Sequence, residues 1–289
     1  MCIRDRYNKA DYIAETLKSV LNQTYCDYEV IVVNDSSTDN SLEVASSFQD
    51  ERIHIYTKEN EGVSAARNYG IMHAKYDYIA FLDADDIWES DYLECQKKLI
   101  GTYPDAGIYS TAFYSLEKGK RKLRNVLINE HIHFLVHDYF KESVMNGLSI
   151  CWTSSLCLKK EVIKEIPMFR VGIKRGEDLD LWLRIALNYD VAYLNLPKVF
   201  YRTGLSDSLT SDYSKNGEFP YYEWFNFTSE SSYYRKYVIL VVYIHAKNAF
   251  IHHDYDTCLA ELWSVKTIAW RFKWAERLLL LVISWIKSK

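Results

Sequence analysis

Short apolar runs alternate with helix-patterned stretches through residues 10–102, and this alternation leaves few folds open. Val30-Ile31-Val32-Val33, after Glu29, and Tyr78-Ile79-Ala80-Phe81-Leu82 are apolar without a break and too short for helices. Such runs suit strands covered on both faces of a parallel sheet. Ile53-His54-Ile55-Tyr56 reads as a third strand. Helices are predicted over Ala10–Gln23, from Asp39 or Ser41 to about Phe48, over Val63–Ala74 and from Ser90 to about Thr102. In the first of these Ile13, Leu17, Val20 and Leu21 recur at helical spacing. The alternation predicts a doubly wound α/β sheet.

Such a domain should open with a buried strand. Met1-Cys2-Ile3-Arg4-Asp5-Arg6 is short and carries three charges, so the sheet is expected to lack its first strand, through a truncated or foreign leader. Further on, Ile108–Leu116, Ser149–Leu158 and Val199–Arg202 read as strands, and Glu117–Lys122 as a charged hairpin or loop. His133–Met145 and Asp178–Asn188 read as helices, and the pattern is all-helical beyond Tyr233. One domain over residues 1–210 and a helical C-terminal region over 211–289 are expected.

Gly and Pro number only 10 and 4 of 289 residues, which excludes collagen-like and largely disordered chains. Thirty-five basic and 39 acidic residues give a net charge of −4, which is not the footprint of a nucleic-acid binder. The six cysteines form no C-x-x-C pair and read as reduced thiols of a cytoplasmic protein. No signal peptide and no apolar run of about 18 residues is present, which predicts neither secretion nor a membrane span. Asn22-Gln23-Thr24 and Asn226-Phe227-Thr228 are therefore glycosylation sequons in form only.

Chemistry concentrates where buried strands end. Asp83-Ala84-Asp85-Asp86 sets three carboxylates at the carboxyl end of a strand, the edge where open α/β sheets bind ligands. Their mutual repulsion favours a cation, and carboxylate oxygens suit Mg²⁺ or Mn²⁺ beside a diphosphate. The alternative is a turn in which Asp86 or Ser90 caps the next helix. Asn34-Asp35-Ser36-Ser37-Thr38-Asp39 either bonds a nucleobase or makes an Asx turn and a cap. Gly62 to Asn68 brings small residues and Arg67, which either reaches a ligand or is ion-paired. Gly176-Glu177-Asp178-Leu179-Asp180 offers a general base, or Asp178 caps the Trp182 helix.

The order of these elements, with Tyr7-Asn8 before them and Leu181-Trp182-Leu183-Arg184 after, resembles the family 2 glycosyltransferases over about residues 7–210. The resemblance implies the GT-A nucleotide-diphospho-sugar transferase fold, a doubly wound mixed sheet with a helical C-terminal extension. It implies that Tyr7 packs on a nucleobase, Asp35 bonds that base, and Arg67 contacts base or diphosphate. Asp83 would lie near the ribose and Asp85 would ligate Mn²⁺ or Mg²⁺. Asp178 would be the catalytic base, with Glu177 positioning the acceptor and Asp180 or Glu177 as the alternative base. The reaction would be inverting transfer from a UDP-linked sugar to a glycan hydroxyl, in bacterial surface polysaccharide synthesis. Two departures stand out. The Pro and apolar strand before Tyr7 are missing, and Tyr201-Arg202-Thr203-Gly204 lacks the His many relatives carry, leaving Arg202 and Ser208 for the diphosphate.

Other readings stay open. The acceptor could be a polyprenyl phosphate drawn by Lys174 and Arg175, or the chain could bind sugar nucleotides without catalysis. No G-x-G-x-x-G follows an early strand, which argues against a nicotinamide-binding domain. His131, His133 and His137 could hold zinc, and Trp152, in an expected strand, either stacks on a sugar or sits in the core. The tail from Lys266 carries six basic residues against Glu276 alone, around apolar Leu278–Ile283. Residues 274–289 either lie on an anionic membrane or pack in a helical layer.

Overall fold

The computed structural model describes residues 2–5, 9–173, 175–205, 224 and 228–264. Among these residues ten strands form one mixed sheet. In chain order they are β1 (Cys2–Asp5), β2 (Val30–Asn34), β3 (Ile53–Thr57), β4 (Tyr78–Asp83), β5 (Ile87–Trp88), β6 (Ile108–Glu117), β7 (Lys120–Arg124), β8 (His133–Val136), β9 (Leu156–Lys159) and β10 (Val191–Arg202). Their order is β3-β2-β1-β4-β9-β6-β10-β5, with β7 on β6 and β8 on β10. The left half is parallel, and antiparallel β9 joins it to the parallel pair β6 and β10.

The expected gap at the start of the sheet is filled. Cys2–Asp5 lies between β2 and β4, with Ile3 opposite Val32 on one side and Leu82 on the other. Four residues suffice there, because the ladder groups of both neighbours require a partner whatever the side chains are.

Strand side chains alternate between two cores. Ile31, Val33, Ile79 and Phe81 face one. Val30, Val32, Ala80 and Leu82 face the other. This period of two explains why the runs are apolar throughout. Helices α1 (Ala10–Leu21), α2 (Ser41–Ser46), α3 (Val63–His73) and α4 (Tyr92–Thr102) follow as the alternation predicts. After them come α5 (Tyr139–Asn146), α6 (Val162–Glu165), α7 (Glu177–Ala186), α8 (Tyr234–Ile251) and α9 (Tyr255–Ser264). Helix α8 joins the first core through Tyr237, whose hydroxyl lies 3.0 Å from that of Tyr139.

Two expectations in the middle of the chain change. His133–Met145 is not one helix: His133–Val136 pairs with β10, and Asp138 then caps α5 by accepting the Lys141 N–H at 2.9 Å. Gly147, at φ 76°, ends that helix. Ser149–Leu158 is a strand only from Leu156, because Thr153–Ser155 closes a 3₁₀ turn in which the Ser155 hydroxyl donates to the Trp152 carbonyl. No helix of the described residues is long and apolar enough to cross a membrane.

Candidate active site

Strand β4 ends at Asp83, and the Ala84–Asp86 loop is held from beneath. The Thr16 hydroxyl lies 2.8 Å from both the Ala84 and the Asp86 carbonyl oxygens. Asp86 is fully buried; its carboxylate accepts from the Ser154 hydroxyl at 2.5 Å and the Arg202 N–H at 2.9 Å. Burial, and then the charges of Asp85 and Asp83, push its carboxyl well above the ordinary range. The same Ser154 oxygen accepts the Asp83 N–H at 3.1 Å. Neither Asp86 nor Ser90 caps the next helix, whose N-cap position is Asp91.

Asp85 points the other way. Its Oδ2 lies 3.1 Å from Nζ of Lys9, a side chain with no exposure at all. Among the described residues that ammonium makes an ion pair but no well-aligned hydrogen bond. Arg202 braces the loop: its Nη1 donates to the Asp85 carbonyl at 2.6 Å and its Nη2 pairs with Glu15.

The polar turn after β2 serves two ends. Asn34, not Asp35, makes the turn, accepting the Ser37 N–H at 2.9 Å. Asp35 accepts the N–H groups of Gly62 at 2.9 Å and Glu61 at 3.2 Å, and Nζ of Lys58 at 3.1 Å. It thereby fixes the start of α3, where Gly62 holds a φ of 86°. One turn on, Arg67 is buried and bridges two segments. Its Nη2 donates to Asp83 at 3.1 Å and its Nη1 to Glu177 at 2.9 Å. Burial alone would lower its pKa, but the charges of Asp83, Glu177 and Asp178 outweigh burial and raise it.

The three acids opening α7 have separate environments. Asp180 is fully buried and bonded to Arg184 at 3.0 Å and Trp224 Nε1 at 2.8 Å. It braces the fold. Glu177 is buried against Arg67. Asp178 is half-buried; its Oδ2 accepts the Thr153 hydroxyl at 3.0 Å, and its Oδ1 the Leu179 N–H at 2.8 Å. The N-cap is Gly176, so Asp178 does not cap the helix.

The fold thus joins Arg67, Asp83 and Glu177 directly, with Asp178 close enough to act on Arg67, and ties Asp85 to Arg202. Asp35 supports the group from the start of α3. Tyr7, Lys174, Ser208 and residues 274–289 lie outside the described residues. Lys9, Thr153 and Ser154 were not singled out from the sequence. Lys9 directly follows the Tyr7-Asn8 pair, and Thr153-Ser154-Ser155 is a run of hydroxyls between Trp152 and Leu156.

The histidines of the H-x-H-x₃-H run go elsewhere. His133 Nδ1 lies 3.2 Å from the Tyr103 hydroxyl and His137 Nδ1 2.8 Å from Asp190. Among the described residues no three His, Cys, Asp or Glu are grouped to hold a metal. Cys26, Cys95, Cys151, Cys157 and Cys258 are free thiols.

The family model "Glycosyl transferase family 2" matches residues 6–166, which contain the β4 loop, Asp35 and Arg67. The chain belongs to glycosyl transferase family 2. This member is 32% identical over 194 residues to TuaG of Bacillus subtilis (strain 168), named as a teichuronic acid biosynthesis glycosyltransferase, covering 66% of this chain and 73% of that one. It is also 32% identical to the glycosyltransferase GlyA of Streptococcus pneumoniae serotype 4 over 68% of this chain, but spans only 29% of GlyA. Two solved structures share its GT-A fold. TarS 1-349 of S. aureus in complex with UDP has a TM-score of 0.71 at 16% identity, covering 98% of this chain and 88% of that one. The mannosyltransferase PcManGT of Pyrobaculum calidifontis, with GDP-Man and Mn²⁺, has a TM-score of 0.61 at 17% identity, covering 99% and 85%.

Proposed function

We propose that this chain transfers a sugar from a UDP-linked donor to a hydroxyl of a glycan acceptor, with inversion, in building a bacterial surface polysaccharide. The observation that carries the reading is the Arg67 bridge from Asp83 to Glu177, which sets the base candidate Asp178 beside the β4 loop. Asp178 takes the acceptor proton, the acceptor oxygen bonds to the anomeric carbon, and the bond from that carbon to the diphosphate oxygen breaks. The electron pair leaves with the diphosphate. Of the three acids, Asp178 alone is both partly open and not ion-paired to an arginine in the contacts above. The UDP complex of TarS and the name of TuaG favour this donor and this destination.

The residues fit a divalent cation that arrives with a diphosphate. Such ions bind through one or two carboxylates plus phosphate oxygens and water, and do not need a cage of protein ligands. Asp85 would hold it, with Asp83 behind, and the ion would neutralise charge on the departing diphosphate. PcManGT with GDP-Man and Mn²⁺ offers a parallel. Lys9 already supplies one positive charge at Asp85, and Arg202 holds the loop rigid behind it.

Calorimetric titration of UDP with Mn²⁺ and then with EDTA tests the donor reading. Binding only with metal supports it. Binding of neither UDP nor GDP under either condition would sink it.

A further inference from the structure

The hairpin of β6 and β7 carries more charge than an edge strand needs. Glu117-Lys118-Gly119-Lys120-Arg121-Lys122-Leu123-Arg124 holds five cations and one acid, in a chain whose net charge is −4. All five residues of β7 are exposed, and among the described residues β7 pairs only with β6. Charge on an edge strand blocks edge-to-edge pairing, but charge of either sign does that. Here every charge on β7 is positive, and none of the five cations is ion-paired among the described residues.

The hairpin faces two concave spaces. One, of about 460 Å³, is lined by Lys118, Lys120, Arg121, Lys122 and Arg124 against the single acid Glu117, with Ser115 and Thr203 beside them. The other, of about 520 Å³, shares Ser115, Arg124 and Thr203 with it and is walled by Phe113, Trp152 and Tyr201. Trp152 is stacked on Phe113 at 5.4 Å between ring centroids and meets Tyr201 edge-on at 4.8 Å. Aromatic walls of this kind take the apolar face of a sugar ring. Two of the walls adjoin the chemistry along the chain: Trp152 precedes Thr153, whose hydroxyl bonds Asp178, and Tyr201 precedes Arg202, which braces the Asp85 loop.

We infer that the β6–β7 hairpin and the aromatic cavity beside it form the acceptor site, and that they select a glycan bearing carboxylate or phosphate groups. The inference rests on the glycosyltransferase reading and names its acceptor class. The aromatic walls seat the sugar that offers its hydroxyl to Asp178. The cations hold acidic units of the same chain further out. A flat anionic bilayer would meet the tip of the hairpin but would not fill the cavity walled by Phe113, Trp152 and Tyr201.

The test titrates tetragalacturonate, a glycerol phosphate oligomer and neutral maltotetraose into the full chain, with UDP titrated into the same samples. At least one anionic oligomer is expected to bind, more weakly as salt rises, and more tightly than maltotetraose. The Lys120→Gln/Arg121→Gln/Lys122→Gln variant should bind it about tenfold more weakly while UDP binding stays unchanged. Trp152→Ala should weaken the same oligomer at all salt concentrations. Equal binding of neutral and anionic oligomers, or an unaltered triple variant, would overturn the inference. So would binding to phosphatidylglycerol vesicles with no binding of either anionic oligomer. Loss of UDP binding with retained glycan binding would instead count against the donor reading alone.

Discussion

Arg67 donates to Glu177 at 2.9 Å although the two residues stand 110 positions apart. The bond ties α3, whose start Asp35 holds, to the helix that carries the proposed base. Arg67 is 3% exposed, so its charge has no recourse to water. Replacing it by Met removes the cation that half-buried Asp83 and buried Glu177 share. Breaking a buried ionic bridge of this kind typically costs about 3–5 kcal/mol. Urea unfolding of Arg67→Met should show a loss of that order, and Arg67→Lys, which keeps one charge but not the fork, a smaller loss. A change below about 1 kcal/mol, the scale of an exposed pair, would mean that the bridge is dispensable.

Asp178→Asn keeps the shape of the side chain and its Thr153 bond but cannot take a proton. Transfer should fall by about 100- to 10,000-fold, the usual share of a general base. UDP affinity should stay the same, because Asp178 makes no contact with Asp85 or Asp35. Asp180→Asn should instead lower stability, because Asp180 is held between Arg184 and Trp224. Near-normal turnover by Asp178→Asn would move the base to Glu177.

Much of this site was legible in the sequence because its acids sit where buried strands end. The runs at Val30 and Tyr78 announce a covered sheet, and a covered sheet binds ligands at its carboxyl edge. What stayed hidden depends on partners far away in the chain. Arg4 and Asp5 do not look like strand residues, yet the open ladders of β2 and β4 recruit them. His133–Val136 becomes a strand because β10 offers it an edge. Thr153 and Ser154 are ordinary hydroxyls until the turn aims one at Asp178 and the other at Asp86. Lys9 gains meaning only once its ammonium is found against Asp85.

Lys9 and a divalent cation would compete for the same carboxylate. Removing the ammonium in Lys9→Met leaves Asp85 uncompensated, which favours any other cation there. Mn²⁺ bound without nucleotide, followed by electron paramagnetic resonance, should tighten by about tenfold in this variant. Asp85→Asn should abolish the metal dependence of UDP binding and also destabilise the chain, because Lys9 then lies buried without an anion. Unchanged or weaker Mn²⁺ affinity in Lys9→Met would show that the two do not compete.

Alkaline pH should destabilise this protein through its buried thiols and tyrosines. Burial pushes the Cys157 thiol up to about 12, and raises Cys151, Tyr139 and Tyr193 as well. In the unfolded chain a thiol ionises near ~8.5 and a tyrosine near ~10. Above the unfolded value the unfolded state sheds a proton that the folded state keeps, so stability falls as pH rises until the folded value is passed. Each such group contributes a slope of about 1.4 kcal/mol per pH unit within its window. The urea midpoint should therefore hold steady up to about pH 8.5 and fall steeply above it, with the tyrosines joining as they ionise in the unfolded chain. Cys157→Ala should reduce that slope by one group's share while lowering stability at neutral pH through the cavity it leaves. A midpoint that stays level well past the unfolded thiol value would mean that these groups reach water in the native fold. Thiol labelling at neutral pH gives an independent check: exposed Cys26 should react, and Cys151 and Cys157 should stay protected until urea is added.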